Sequence, residues 1–235
     1  MGFYYYDWTY FIIMLPALLL TLWAQIRVKS AFSQFSQVNS RRGMTGRDAA
    51  EAVLRMHQVA GVQVEPVSGR LTDHYDPRSN RIRLSDGVFG STSVAAIGVA
   101  AHEAGHAVQH AERYGPIRLR TAMVPVVQFS SRLAMPLILI GLLLPVEYSI
   151  VTTIGILVYA AATLFELVTL PVEFNASARA LKSLGETGIL DEEELKGAKK
   201  VLQAAAMTYL ASAFTALLSL LRLILIFGRR NNRNN

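Results

Sequence analysis

The chain has 235 residues, of which 52% are hydrophobic and 17% charged, and its mean hydropathy is +0.32. That balance is too apolar for an ordinary soluble domain of this length and reads as a membrane protein. Cysteine is absent, which excludes disulfides and thiolate metal sites, and the net charge of +6 calls for a lipid bilayer rather than nucleic acid as partner.

Trp8 to Gln25 is an apolar run with Tyr4 to Tyr6 and Trp8 at one end and Trp23 at the other, close to the roughly 20 residues a spanning helix needs. A secretory signal peptide carries positive charge before its apolar core. Here Asp7 precedes the run, and Arg27 and Lys29 follow it, so residues 1–30 are expected to form a retained transmembrane helix with the N-terminus outside.

Residues 31–122 carry more charge and are expected to form the water-facing domain. Thr45 is placed to cap a helix, with Asp48 in the capping-box position, Ala49, Ala52, Val53 and Met56 as an apolar face, and Gly61 as its end. Val62 to Val67, Arg70 to His74 and Asn80 to Leu84 alternate over short spans and predict a small antiparallel sheet. In the last, an exposed edge strand around Asn80 and Ile82 could hold an extended substrate chain. A solvated edge protected by Arg81 and Arg83 fits equally well.

Ser91-Thr92-Ser93 offers an N-cap for a helix running to about Glu112 before Gly115-Pro116. Within it, His102 and His106 lie four residues apart, on one helical face, with Glu103 beside them. This His-Glu-x-x-His spacing lets two neutral imidazoles hold one Zn²⁺ while the glutamate takes a proton from the attacking water. The surrounding residues are small and apolar, and ionisable groups in such a setting are expensive unless they bind something.

Met123 to Leu144 and Ile150 to Pro171 predict a transmembrane hairpin over residues 123–171, joined by the short link Pro145 to Ser149. Gln128, Ser130, Ser131 and Arg132 make the first half of its first arm polar, so that arm should span mainly with its later half. Residues 172–203 return to water, with a break at Gly185 and Gly188 and a new helix capped by Asp191 and Glu194. Residues 204–235 are a further membrane segment, interrupted by Arg222, and a basic tail expected to be disordered.

Basic residues crowd both ends of the water-facing domain, at Arg27, Lys29, Arg113, Arg118 and Arg120, and are missing from the hairpin link, which predicts a multi-pass cell-membrane protein with a cytoplasmic domain. Four full crossings from an outside N-terminus would, however, carry Arg229, Arg230 and Arg233 outside as well. Either the last segment does not fully span or the tail violates the rule.

A catalytic zinc site normally has three protein ligands. His110 shares the helical face but lies about 12 Å along the axis from His102, which suits a supporting or surface role. His57 and His74 flank an amphipathic helix and a strand end and are weaker candidates. Glu173 stands where the third membrane helix is expected to emerge, and its position alone suits a ligand or an ordinary polar residue at a helix exit. Glu166, two turns earlier in an apolar run, is a functional candidate that could pair with Arg132, line a polar entrance, or simply be packed neutral.

Tyr75-Asp76-Pro77, Leu84-Ser85, Ala101-His102-Glu103-Ala104-Gly105-His106 and Pro171-Val172-Glu173-Phe174-Asn175-Ala176-Ser177 resemble the membrane zinc peptidases of the YugP type, called putative neutral zinc metallopeptidases, and more distantly the HtpX-like gluzincins. The resemblance runs over nearly the whole chain and implies a zincin-like catalytic helix with Glu173 as third ligand. In the distant relatives the second motif is Glu-x-x-Ala-Asp, whose aspartate supports a zinc-bound histidine. Ser177 stands in that place here, so the support must differ, through Ser177 itself, Asn175 or Arg179.

The resulting expectation is a mainly α multi-pass membrane protein acting as an endopeptidase. One Zn²⁺ per chain is held by His102, His106 and Glu173, Glu103 is the general base, and the substrate is a peptide or membrane protein. A membrane adaptor or complex subunit with a structural zinc site is the competing class, and a zinc hydrolase acting on other bonds is the third.

Overall fold

The computed structural model describes residues 8–144 and 149–232, so Asp7, most of the expected link at Pro145 to Ser149, and Arg233 lie outside the described residues. In chain order the elements are α1 (Trp8–Phe35), α2 (Gly46–Met56), β1 (Gln63–Val67), β2 (His74–Asp76), β3 (Arg81–Ser85), α3 (Asp86–Phe89), α4 (Val94–Ala111), α5 (Gly115–Leu143), α6 (Ser149–Glu186) and α7 (Glu192–Asn232). The chain is mainly helical with one small sheet.

Helix ends follow local chemistry. Thr45 and Asp48 form the expected reciprocal capping box on α2, and Ser93 accepts from the Ala96 N–H to start α4. Asp191 and Glu194 cap α7 in the same way: the Glu194 N–H donates to Asp191 and the Asp191 N–H to Glu194. The stop signals differ from those expected, although α4 ends at Ala111, next to the expected Glu112. α2 stops at Met56 because Gln58 is left-handed (φ 54°) and the Val59 N–H reaches back to the Leu54 carbonyl; α4 stops likewise at Arg113 (φ 54°), with the Tyr114 N–H on the Gln109 carbonyl. Gly115 and Pro116 therefore begin α5 rather than end α4, as a proline in a first turn can.

The described parts of the chain form two compact units. One comprises Ala24–Arg118 and Pro171–Thr208, the other the described residues within 8–23, 119–170 and 209–232. In the first, Ala49, Val53, Ile82, Leu84, Val88, Ile97, Ala100, Ala104 and Val108 pack with Ala180 and Leu184 of α6 and with Ala198 and Leu202 of α7 into one buried core. α4 runs through its centre: fourteen of its eighteen residues are buried, which leaves ionisable side chains there in need of partners.

The sheet is mixed, not antiparallel. Its order is β1-β3-β2, with β1 parallel and β2 antiparallel to β3. β3 is the central strand, which overturns its reading as an exposed edge holding substrate at Asn80 and Ile82. Ile82 is fully buried in the core, and the Asn80 side chain is spent on the Tyr75 hydroxyl and the Gly61 carbonyl. The alternating arginines do not protect an edge; they are neutralised across the sheet. Arg81 Nη1 and Arg83 Nε lie 2.9 and 2.7 Å from the two carboxylate oxygens of Glu65 on β1, and Arg83 Nη1 is 3.6 Å from Asp76 on β2. Burial of Ile82 and Leu84 on one face and pairing of both arginines on the other favour the middle position.

In the other unit the exposed large side chains include Phe11, Ile12, Leu15, Leu18, Leu19, Leu139, Ile150, Leu157, Leu217 and Ile224, an apolar exterior suited to lipid. Among the described residues, three helices are long and apolar enough to cross a membrane, Phe11–Phe35, Ile150–Glu186 and Glu192–Phe227. A fourth would be the pair Gly115–Gln128 and Arg132–Gly141, bent by 49° at the polar stretch anticipated there. α6 runs unbroken through Pro171 to a left-handed Gly188, and α7 continues past Arg222 to Asn232, so the tail expected to be disordered is helical as far as it is described.

Candidate metal centre

Three ionisable side chains converge inside the core-bearing unit. His102 and His106, one turn apart on α4, present their Nε2 atoms to the same oxygen of Glu173 on α6, at 3.2 and 3.6 Å. All three are largely shielded from solvent, Glu173 most of all at 2% exposed. The imidazole rings are nearly perpendicular, with centroids 4.7 Å apart.

The cluster suits a divalent metal such as zinc. One nitrogen from each histidine and one carboxylate oxygen lie within 4.8 Å of one another. Two metal bonds of about 2.0–2.1 Å at a tetrahedral angle place ligand atoms about 3.3 Å apart. The observed 3.2 and 3.6 Å bracket that value. Electrostatics point the same way. Burial works against a charged His106 ring, yet a hydrogen bond donated to Glu173, the Glu103 and Glu173 charges and the Gln109 oxygen together raise its proton affinity, so the site favours positive charge.

Around these residues lies a connected set of hydrogen bonds. His102 Nδ1 is 3.0 Å from Ser177 Oγ, and His106 Nδ1 is 3.1 Å from Gln109 Oε1. Gln109 Nε2 donates to the Val172 carbonyl (2.8 Å) and to Asn175 Oδ1 (2.9 Å), and Arg179 Nε also donates to Asn175 Oδ1 (2.8 Å) while its Nη1 pairs with Glu112 at 2.6 Å. Glu103 Oε2 accepts the outward backbone N–H of Tyr75 at 2.9 Å, from the edge strand β2.

The structure thus brings His102, His106, Glu103, Glu173, Asn175, Ser177 and Arg179 into one region. His110 stands one turn beyond His106, its ring 5.5 Å from that of Tyr75. The ligand group contains neither His57, which contacts Ser183 and Glu112, nor His74, which donates to the Thr72 carbonyl. Glu166 belongs to the other unit, where it interacts with Arg120. Two participants escaped sequence reasoning. The Tyr75 amide leaves no trace in side-chain patterns, whereas Gln109 could have been noticed as a long polar side chain, 0% exposed, on the histidine face of an apolar helix.

A buried two-histidine, one-carboxylate centre on a helix pair is the kind of site a zinc hydrolase builds. The chain belongs to the family described as "Putative neutral zinc metallopeptidase", whose family model matches residues 10–228. It is 46% identical over 220 residues to the "Putative membrane protease YugP" of Bacillus subtilis (strain 168), an alignment covering 93% of this chain and 97% of that one. No solved structure matches the chain.

Proposed function

We propose that the chain is a membrane-embedded, zinc-dependent endopeptidase in which His102, His106 and Glu173 hold one zinc ion and Glu103 is the general base. The observation that carries this reading is the convergence of both histidines on one buried oxygen of Glu173, with Glu103 on the next residue of the same helix. Bound zinc would supply a Lewis acid beside the scissile carbonyl and bring the pKa of the attacking water toward about 7.

The chain's own residues do the rest. The Tyr75 amide holds Oε2 of Glu103, which leaves Oε1 to receive the proton of the attacking water and deliver it to the departing amine. A purely structural site has no use for such a base. The basic residues Arg27, Lys29, Arg113, Arg118 and Arg120 argue for a cytoplasmic site, and the apolar helices for peptide or membrane-protein substrates reached at the bilayer.

The deciding experiment measures zinc content and cleavage of an unfolded membrane-protein substrate, wild type against Glu103→Gln. Retained zinc with cleavage lowered by at least about 100-fold is expected for removal of a general base. Equal cleavage by both proteins would overturn the assignment, and zinc binding with no cleavage by either would favour a structural metal in an adaptor.

A further inference from the structure

Gln109 is the largest fully buried polar side chain in the helix that carries both histidines, and its side chain makes three hydrogen bonds inside the protein. The direction of each bond can be worked out by asking which atoms are able to donate. Arg179 has only donors, so the Asn175 atom it meets must be the side-chain oxygen. The Val172 carbonyl has only acceptor capacity. Facing these two oxygens, Gln109 must turn its NH₂ group toward both, at 2.8 and 2.9 Å. Its own oxygen is then the atom left for His106 Nδ1, and an oxygen accepts only if that nitrogen carries the proton.

We infer that Gln109 is a positioning residue for the metal centre: it fixes His106 in the Nδ1–H tautomer, which leaves the Nε2 lone pair free for the metal that His102, His106 and Glu173 would share. The inference rests on the metal reading above. It adds a second role, because the same amide ties α4 to Val172, the residue immediately before Glu173. Ligand tautomer and the distance between the two ligand-bearing helices are therefore set by one side chain. The Arg179 and Asn175 side chains act further out, by locking the amide against reversal. His102 is served differently, by the hydroxyl of Ser177, which can donate or accept and so imposes no tautomer by itself.

The test compares wild type, Gln109→Met and Gln109→Glu as full chains in detergent or nanodiscs, by side-chain ¹⁵N NMR of the histidines and by zinc titration against a chelator. Glutamate keeps an acceptor for His106 and loses both outward donors; methionine of similar length loses all three bonds. Zinc-loaded wild type should show His106 with its proton on Nδ1. Gln109→Met should weaken zinc binding by about 10- to 100-fold. Gln109→Glu should bind at least about tenfold more tightly than Gln109→Met even where both lower thermal stability.

A merely structural glutamine predicts otherwise: equal loss of affinity in both variants, or none in either, overturns the assignment. Should neither variant fold, the wild-type spectrum still decides, since coordination through Nδ1 of His106 is incompatible with the inferred bond. A wild type that binds no zinc overturns the metal reading and the Gln109 role together, whereas tight zinc binding by wild type and Gln109→Met alike removes the Gln109 role alone.

Discussion

Gly105 of α4 faces the backbone of Ala176 in α6 so closely that a Cβ at Gly105 would lie 2.7 Å from the Ala176 carbonyl oxygen. The neighbouring contacts pair His102 with Ser177, His106 with Glu173, and Gln109 with Val172, so the two helices cross antiparallel with the glycine at their nearest approach. The missing side chain is what lets Glu173 reach both histidines.

Gly105→Ala should therefore separate the helices, because the obstacle is a carbonyl that cannot rotate away. Overpacking of this kind typically costs about 1–3 kcal/mol. The larger effect is expected on the metal, with zinc affinity falling at least about tenfold as the third ligand is displaced. Thermal unfolding and chelator competition on the same preparation separate the two.

Ser177 supports His102 with a neutral hydroxyl 3.0 Å from Nδ1. Ser177→Ala leaves that nitrogen without its partner and should weaken zinc binding about tenfold, at the lower end of what loss of such support costs. Zinc titration checks this, and an unchanged affinity would show that the hydroxyl contact does not orient the ring.

The capping box of α2 makes stability depend on pH in a definite direction. The Asp48 carboxyl is held below its ordinary pKa by the hydroxyl and then the backbone N–H of Thr45. Its contribution is present above the unfolded-state value of about 3.9 and disappears as pH falls through the lower folded value. Asp48→Asn should thus be less stable than wild type at pH 7, with the gap closing as pH falls below about 4. Unfolding curves across that range give the measurement.

Membrane orientation can be read by labelling, since the chain has no cysteine of its own. Ser68 is exposed beside β1, and its side chain can be replaced by cysteine without touching the core. If the basic flanks set the orientation, Ser68→Cys in intact cells should resist a membrane-impermeant maleimide and react once the membrane is opened. Labelling of intact cells would place this unit outside.

Features that depend on residues within about one helical turn were legible from the order of amino acids. The caps at Thr45, Ser93 and Asp191, the apolar runs of α1, α6 and α7, and the pairing of His102 with His106 are all local, because a hydrogen bond or face relation spanning three or four residues needs no partner from elsewhere. The strand alternation was equally visible, but its meaning was not. The same Arg-Ile-Arg-Leu pattern suits an edge or a centre, and only Glu65 on one side and Asp76 on the other decide for the centre.

Glu173 lies between these cases. Its residue type and place after an apolar run marked it as a candidate, and resemblance to a family raised it further. Its ligand geometry exists only because α6 continues through Pro171 and meets α4 at Gly105. The sequence by itself thus determined the donors and their spacing along each helix. The tertiary structure decided which donors share one point in space, because that depends on a backbone approach with no room for a methyl group, and on a buried glutamine two of whose partners lie more than sixty residues away.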